Sequence, residues 1–366
     1  MATPRRKAGK LGDVTGPGLT DRWGVTCTDL GASVVAPNGM LVSVFGDTFS
    51  GNKVGHGDWR SPVILIGTGD ADHPISYQRA GGADPNYARQ LWHYPHRTVV
   101  PGGMRRGIST VIPSDLLRVG DALYLHAIVN RGLGNVVWTE IWRSDDCGVS
   151  WQHLGDEAKF SAGLHNGHAQ CWSWDYNPAD GWVYLASTGF QRDKGIILQR
   201  VRPDNIGDQR KYFGWGHADG RWSWGRHPTP LTPDGETWGE LSLRRLATGK
   251  WILGGFLSCR YALGYRVVDF PTALPDAPLQ LPITGSAWDA EDHANSRVAQ
   301  LYGGYILPAS QLDVVGGVGL VVSQWNTERG WPYRAMQFSA TLHDTTTRHS
   351  STTSKSESPS SGVPLT

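Results

Sequence analysis

Two aspartates, Asp29 and Asp47, stand at the two ends of one predicted β-hairpin, CTDLGASVVAPNGMLVSVFGDTF. The turn signal PNG divides this segment, and each aspartate is nine residues from Asn38. If the strands pair in that register, the carboxylates are cross-strand neighbours, with Cβ atoms roughly 4.5–5.5 Å apart. Like charges that face each other destabilise a sheet, so this spacing indicates a chemical role.

Two close carboxyl groups favour acid–base chemistry. Their repulsion raises one pKa, so that one group keeps its proton near neutral pH. Glycoside hydrolysis uses such a pair: one carboxyl protonates the leaving oxygen, and the other activates water or attacks the anomeric carbon. The alternative is a pair of exposed strand-end aspartates that cap turns. The spacing does not decide which aspartate is the acid, or whether the reaction retains or inverts the anomeric configuration.

Further side chains are candidates for substrate binding. The strand start WGELSL would add a third carboxylate, unless its glutamate is an ordinary strand-end residue. The segment LHNGHAQCWSWD mixes hydrogen-bonding and aromatic groups that suit sugar hydroxyls and rings, and the residues QWN come just after a predicted strand, where groups could face a cleft. The candidates are Glu240, His168, Gln170, Trp172, Trp325 and Asn326.

No cofactor or metal is predicted. The H-x-x-H spacing of His165 and His168 could suggest a metal, but no carboxylate lies in register with it. The four cysteines form no CxxC pair, which argues against zinc; such widely spaced cysteines are most often buried and unpaired, and a disulfide would require an oxidising compartment. The aromatic segment FGWGHADGRWSWGRH (213–227) is either a hydrophobic cluster or a substrate wall.

The rest of the chain must position these groups, and it consists of short apolar runs bounded by Gly, Pro, Asn and Asp. Their spacing is typical of an all-β protein, and about five clusters suit the blades of a five-bladed β-propeller. The clusters lie near residues 24–75, 96–155, 166–203, 236–275 and 298–342. We expect a flexible segment over 1–19, the propeller over 20–342 and a disordered Ser/Thr-rich tail over 343–366.

One turn motif supports the propeller independently. The segment SDDCGVSW matches the Asp-box pattern S-x-D-x-G-x-S-W. Asp146 is expected to accept backbone N–H groups, Gly148 to take a conformation that a side chain would hinder, and Trp151 to pack beneath them. Asp-boxes lie on the rim of sialidase-like propellers, away from the substrate, so its role is structural. A sialidase would also need three clustered arginines and a Tyr–Glu pair, which the sequence does not clearly show.

Composition excludes some partners. The formal net charge is +1 and charged residues make up 18%, which gives no electrostatic reason to expect nucleic acid or an anionic membrane. The basic N-terminus lacks the apolar core of a secretory signal, and no run approaches the roughly 18 apolar residues of a membrane span. Oligomeric state is not indicated.

The patches TCTDLGASV, FGDTF, WGELSL and YGGYILPAS…GLVVSQWNT…PYRAMQF occur in a characteristic order. Over about residues 22–340 the chain resembles a family of actinobacterial and phage proteins, formerly a domain of unknown function, whose members are recognised as endo-D-arabinanases. The resemblance implies a five-bladed propeller that needs no metal cofactor and cleaves the D-arabinan of arabinogalactan and lipoarabinomannan in cell walls. The family's catalytic carboxylates correspond to Asp29 and Asp47.

The resemblance also implies a polysaccharide partner and action on the cell wall, outside the cytoplasm. The missing export signal fits the phage branch of the family, in which the enzyme is released by lysis or carried on the virion and helps to breach the host envelope. The alternative function is a non-catalytic carbohydrate-binding propeller on a phage particle.

Overall fold

The computed structural model describes residues 9–345 except 54, 93, 95–107, 109, 133 and 326–332. The strands of these residues form five sheets arranged as blades, so the prediction of an all-β, five-bladed β-propeller is confirmed. The helical elements of the described residues are short 3-10 turns. No helix in this part of the chain is long and apolar enough to cross a membrane.

The strands follow in chain order. The first is β1 (Gly9–Asp13). Blade 1 holds β2 (Cys27–Val35), β3 (Leu41–Phe49), β4 (Trp59–Arg60), β5 (Val63–Thr68) and β6 (Ser76–Ala80). Blade 2 holds β7 (Thr110–Val119), β8 (Ala122–Asn130), β9 (Val136–Ser144), β10 (Gln152–His153) and β11 (Lys159–Ser161). Blade 3 holds β12 (Cys171–Asn177), β13 (Trp182–Thr188), β14 (Ile197–Val201), β15 (Phe213–Ala218) and β16 (Arg221–Trp224).

Blades 4 and 5 complete the ring. Blade 4 holds β17 (Trp238–Arg245), β18 (Trp251–Leu257), β19 (Ala262–Val268), β20 (Gln280–Ser286) and β21 (Arg297–Ala299). Blade 5 holds β22 (Leu301–Ile306), β23 (Val318–Trp325) and β24 (Tyr333–Ala340). The 3-10 turns are Asp21–Trp23, Asp156–Ala158, Leu164–Gly167, Pro203–Asn205, Gln209–Lys211, Ser258–Arg260, Pro271–Asp276, Trp288–Ala290 and His293–Asn295.

The N-terminal strand closes the propeller. β1 pairs antiparallel with β24, so that blade 5 combines strands from both ends of the folded body. Residues 9–13 were expected within the flexible segment, and that expectation is wrong for them. They cover an edge of β24 whose backbone groups would otherwise lack strand partners.

The first strand of each blade lines the central axis. These inner strands, β2, β7, β12, β17 and β22, contact one another in that order around the ring, and β22 contacts β2. Apolar side chains fill the spaces between neighbouring blades, in four buried clusters. Polar contacts cross the axis as well: Arg244 donates two hydrogen bonds to the fully buried Asp115, at 2.7 and 2.6 Å. Blades 2 and 4 are thereby tied together.

The Asp-box adopts the predicted structure. Asp146 Oδ1 accepts a hydrogen bond from the Ser150 backbone at 2.8 Å, and Gly148 has a φ of 88°. The Trp151 indole donates to the Gly148 carbonyl at 3.1 Å. The motif follows β9 at the end of the propeller opposite the start of the inner strands, so it is remote from the candidate site. All four cysteines are free, and Cys27 and Cys171 are buried.

Candidate active site

A double irregularity in the β2–β3 hairpin presents the two aspartates. Thr28 lies opposite Thr48 and Ala32 opposite Val44, which is the predicted register. Between these pairs the register shifts twice, and Leu30 pairs with Phe45 instead. Leu30 has a φ of 65°, a value that is uncommon outside glycine. The paired bulges therefore remove Asp29 and Asp47 from the regular ladder and re-aim their side chains.

Asp29 is held at the seam between blades 1 and 5. The Tyr302 hydroxyl donates a hydrogen bond to Asp29 Oδ2 at 3.0 Å. Asp29 Oδ1 is buried without a hydrogen-bond partner among the described residues, and it lies against Gly46. A Cβ on residue 46 would lie 2.4 Å from that oxygen, so the glycine before Asp47 is required for the position of Asp29.

Asp47 contacts three blades. The Trp59 indole donates to its Oδ1 at 3.0 Å. The hydroxyl groups of Tyr333 and Thr110 also face Asp47 and favour its ionised form. Tyr333 is stacked on Phe49, with ring centroids 6.3 Å apart and an interplanar angle of 13°. Asp47 is therefore a half-buried carboxylate that is surrounded by hydrogen-bond donors.

The two acids differ in their electrostatic surroundings. Burial raises the pKa of Asp29 well above its usual range, and the charges of Asp47 and Glu240 raise it further. Burial also raises the pKa of Asp47, but Trp59, Tyr333 and Thr110 oppose that effect. The pair can thus share one proton, with Asp29 the better place for it, since burial and the charges of both Asp47 and Glu240 act on it in the same direction.

Glu240 lies in β17 and is held by Arg192 from the loop between β13 and β14. Arg192 Nε donates to Glu240 Oε2 at 3.1 Å, and Arg192 Nη2 donates to Oε1 at 2.5 Å. The guanidinium carbon also lies 5.4 Å from the ring centre of Tyr302, the residue that contacts Asp29. Glu240 is therefore a fixed charge near the aspartate pair, and its role in binding substrate stays a prediction.

His168 and Gln170 lie at the end of the propeller where the inner strands begin, but their polar atoms bind the protein itself. His168 Nδ1 is 2.9 Å from the His165 carbonyl, and burial lowers the pKa of His168. Gln170 donates to the Ala162 carbonyl at 2.8 Å and accepts from the Phe190 backbone at 3.0 Å. Both residues brace loops beside β12, and their contact with substrate stays a prediction.

Trp172 does not offer an aromatic platform, so that part of the prediction is wrong. It is fully buried, stacked on His126 with ring centroids 3.9 Å apart and packed against Phe160. Trp172 and Trp174 are two residues apart in the inner strand β12, so both indoles lie on the same face of it. They fill the space between blades 2 and 3.

Trp325 fits its predicted position at a strand end. It ends β23, is 43% exposed and lies directly opposite Tyr333, so both side chains are on one face of blade 5. Because Tyr333 faces Asp47, Trp325 is near the rim of the candidate site. Asn326 lies outside the described residues.

Several residues around the aspartates escaped the sequence analysis. Trp59, Tyr333 and Thr110 face Asp47. Tyr302 binds Asp29, and Arg192 holds Glu240. Tyr302 and Tyr333 occur within the patches YGGYILPAS and PYRAMQF, which were the only local signals for them. Arg192 has a φ of 60°, which no feature of its neighbours in sequence indicates.

A separate cavity opens at the other end of the axis. It has a volume of about 660 Å³ and is lined by the last residues of the inner strands. Its polar lining includes Asp175, whose carboxylate accepts from the Arg245 backbone at 2.7 Å, and Arg244, which is bonded to Asp115. The carboxyl pair Asp29 and Asp47 does not line this cavity.

Known proteins are similar to this chain in sequence. "Uncharacterized 35.9 kDa protein in asd 3'region" from Mycolicibacterium smegmatis is 31% identical over 348 residues, covering 90% of this chain and 97% of that protein. "Notoamide biosynthesis cluster protein J'" from Aspergillus versicolor is 31% identical over 248 residues, covering 63% of this chain and 65% of that protein.

Solved propellers are similar at lower identity. The GH43_1 enzyme from Xanthomonas citri superposes with a TM-score of 0.52 at 13% identity, covering 92% of each chain. Its complex with xylotriose gives a TM-score of 0.50 at 13% identity, covering 90% of each chain. These similarities show a shared fold. Residues 15–339 match the family described as "Domain of unknown function (DUF4185)", and the chain therefore belongs to that family.

Proposed function

We propose that the protein is a glycoside hydrolase that cleaves D-arabinofuranosyl linkages within cell-wall D-arabinan. The observation that carries the proposal is the pair of bulges in the β2–β3 hairpin. They place Asp29 against Gly46, and they place Asp47 among the hydrogen-bond donors Trp59, Tyr333 and Thr110. Hydrolysis of a glycosidic bond needs one protonated and one ionised carboxyl group. The surroundings of the two aspartates favour a protonated Asp29 and an ionised Asp47.

In this mechanism Asp29 is the general acid. Burial and the nearby charges of Asp47 and Glu240 favour its protonated form. It would donate that proton to the glycosidic oxygen as the bond to the anomeric carbon breaks. Asp47, whose ionised form is favoured by Trp59, would activate water or attack the anomeric carbon.

The substrate class is supported by the resemblance to endo-D-arabinanases, since the aspartates of the T-D and G-D-T-F patches are the two residues described above. The shared fold with the GH43_1 enzyme, whose structure was solved with xylotriose, is consistent with an oligosaccharide ligand. Action on the envelope of a phage host belongs to the same proposal.

The test is incubation with purified arabinogalactan, followed by sizing of the products. We expect oligosaccharides, because internal cleavage releases chains and not single sugars. Asp29→Asn and Asp47→Asn should each lower kcat at least 100-fold, since general acid–base catalysis contributes about 10²–10⁴. Binding of arabinan without release of oligosaccharides would support a carbohydrate-binding propeller instead, and full activity in both variants would remove the aspartates from the mechanism.

A further inference from the structure

The hairpin of β15 and β16 carries an aromatic face on the outer edge of blade 3. Trp215 lies opposite Trp224, and His217 lies opposite Trp222, so all four side chains share one face. Trp215 and Trp224 pack into the blade, whereas Trp222 is 38% exposed. Its ring is nearly parallel to that of Trp215, with centroids 6.0 Å apart and an interplanar angle of 15°. One indole thus supports another that faces solvent.

The exposed ring is held in place. Asp219 and Gly220 form the hairpin turn with φ values of 53° and 73°, the left-handed pair that suits a two-residue turn. Arg226 bridges the hairpin, because it is 3.1 Å from Asp219 Oδ2 and donates to Ser223 Oγ at 2.7 Å. A rigid aromatic side chain loses little conformational entropy when it binds a ligand.

The turn points toward the end of the propeller that holds the aspartates. β14 begins at that end, and β15 runs antiparallel to it, so the turn after Ala218 returns there. The segment after β16 also contacts the loop beside β12, since the rings of His227 and His165 are 5.0 Å apart. β16 is four strands from the inner strand β12, a lateral distance of roughly 19 Å at about 4.8 Å per strand, and the aspartates lie beyond β12, on blade 1. A ligand that reaches both places must be a polymer.

The chemistry of this face fits a neutral carbohydrate. A flat indole binds the apolar face of a sugar ring, and His217, whose ring centre lies 5.4 Å from that of Trp222, can form hydrogen bonds with hydroxyl groups. The neighbouring cations are already engaged: Arg226 is paired with Asp219, and Arg200 lies between Trp182 and Trp224, 4.1 and 4.3 Å from their ring centres. The face therefore lacks the cluster of unengaged cations that an anionic polymer would require.

We propose that the exposed ring of Trp222 is an accessory binding site for a neutral polysaccharide, which it holds at a distance from the candidate catalytic centre. This inference rests on the proposed function for the identity of the polymer. It adds that long chains bind at two places on the same end of the propeller. Short oligosaccharides reach the aspartates alone.

The test compares polymer and short substrate. Trp222→Ala should weaken binding of arabinogalactan to the inactive Asp29→Asn protein about five- to tenfold, the effect of losing roughly 1–1.4 kcal/mol of aromatic contact. In the active enzyme it should raise KM for the polymer by a similar factor and leave kcat/KM for a short arabino-oligosaccharide unchanged. The matched control is Phe213→Ala, which removes an aromatic residue that is 43% exposed at the opposite end of β15.

The outcomes separate the two proposals. If arabinogalactan is cleaved but Trp222→Ala changes neither binding nor KM, the accessory site is wrong and the proposed function stands. If no arabinan is cleaved, the Asp29→Asn protein is tested for binding to xylan, β-galactan and heparin. Trp222-dependent binding of a neutral polymer keeps the accessory site, whereas retention by heparin alone, or by none of them, overturns it. Circular dichroism on each variant confirms the fold.

Discussion

The hydroxyl of Tyr302 and the carboxyl of Asp29 form a 3.0 Å hydrogen bond across the seam that closes the propeller. Tyr302 belongs to the inner strand of blade 5, and Asp29 to that of blade 1. The hydrogen bond favours the ionised form of Asp29, opposing the effect of burial. Closure of the ring and protonation of the candidate acid are therefore linked through one contact.

Tyr302→Phe tests that link. The variant should lower kcat about tenfold, because a hydrogen bond to a charged group contributes about 1.5 kcal/mol and 1.36 kcal/mol is a factor of ten. It should also raise the pKa of Asp29, which moves the alkaline limb of the kcat/KM profile to higher pH. Tyr265→Phe is the control, since Tyr265 donates to the Gly304 carbonyl and not to an acid. An unchanged profile in Tyr302→Phe would contradict this role.

Substitutions of Glu240 and Arg192 should shift the alkaline limb of the kcat/KM profile in opposite directions. Burial and the charges of Asp47 and Glu240 raise the pKa of Asp29, whereas hydrogen bonds from the Tyr302 hydroxyl and the Asp47 backbone lower it. Glu240→Gln removes a negative charge, so the pKa of Asp29 falls and the alkaline limb moves to lower pH. Arg192→Gln leaves Glu240 without its counter-ion, so that limb moves to higher pH.

The pH dependence of kcat/KM for both variants checks the prediction, with Arg260→Gln as a control for the loss of an exposed charge. Shifts of both variants in the same direction would show that Glu240 and Arg192 affect Asp29 by holding the local structure and not through their charges. A shift of the acidic limb would show that Asp29 is the base and not the acid.

Gly46→Ala should disable the site without replacing an ionisable residue. The new Cβ would lie 2.4 Å from Asp29 Oδ1 and 3.0 Å from Leu30 Cδ1, so the carboxyl group must rotate away. A displacement of about 1 Å at a catalytic group costs on the order of 100-fold in rate. Gly12→Ala is a matched control, since a Cβ there meets nothing within 4 Å. Similar activity in the two variants would disprove the packing argument.

The hairpin shows how far the sequence could predict the site. The PNG turn and the alternation of Val34, Val42 and Val44 with polar residues were enough to predict the pairing register. They could not predict the two bulges, because these depend on blade 5: a Cβ on Gly31 would lie 2.7 Å from Val321 Cγ1. Local pattern decides which strands pair, and contacts from distant strands decide where the register breaks.

Alternation was less informative in β12. This strand is covered on both faces, so the sequence did not indicate that the Trp172 side chain is buried between blades and not exposed to substrate. The same limit applies to Arg192 and Tyr302, which are separated from Asp29 by more than a hundred residues along the chain. The segment Gly9–Asp13 was misjudged because β1 takes its partner from the far end of the sequence.

Asp29→Asn should stabilise the protein at neutral pH, even though it removes activity. Because the folded-state pKa of Asp29 is raised, its protonation adds stability that is complete below the unfolded value and is lost as pH rises through the folded value. The neutral amide avoids that loss, so the melting temperature of the variant should exceed that of the wild type at pH 7–8 and approach it at pH 4.

Asp115→Asn is the contrasting control. Asp115 is equally an axial carboxylate, but it is paired with Arg244 and bonded to Ser173 Oγ at 2.5 Å. Removing its charge leaves a buried guanidinium unpaired, which costs about 3 kcal/mol, so this variant should melt at a lower temperature. The melting temperatures of both variants, measured across pH, test this prediction. If Asp29→Asn melts below the wild type at pH 8, Asp29 stabilises the fold, as Asp115 does, and is not the catalytic acid.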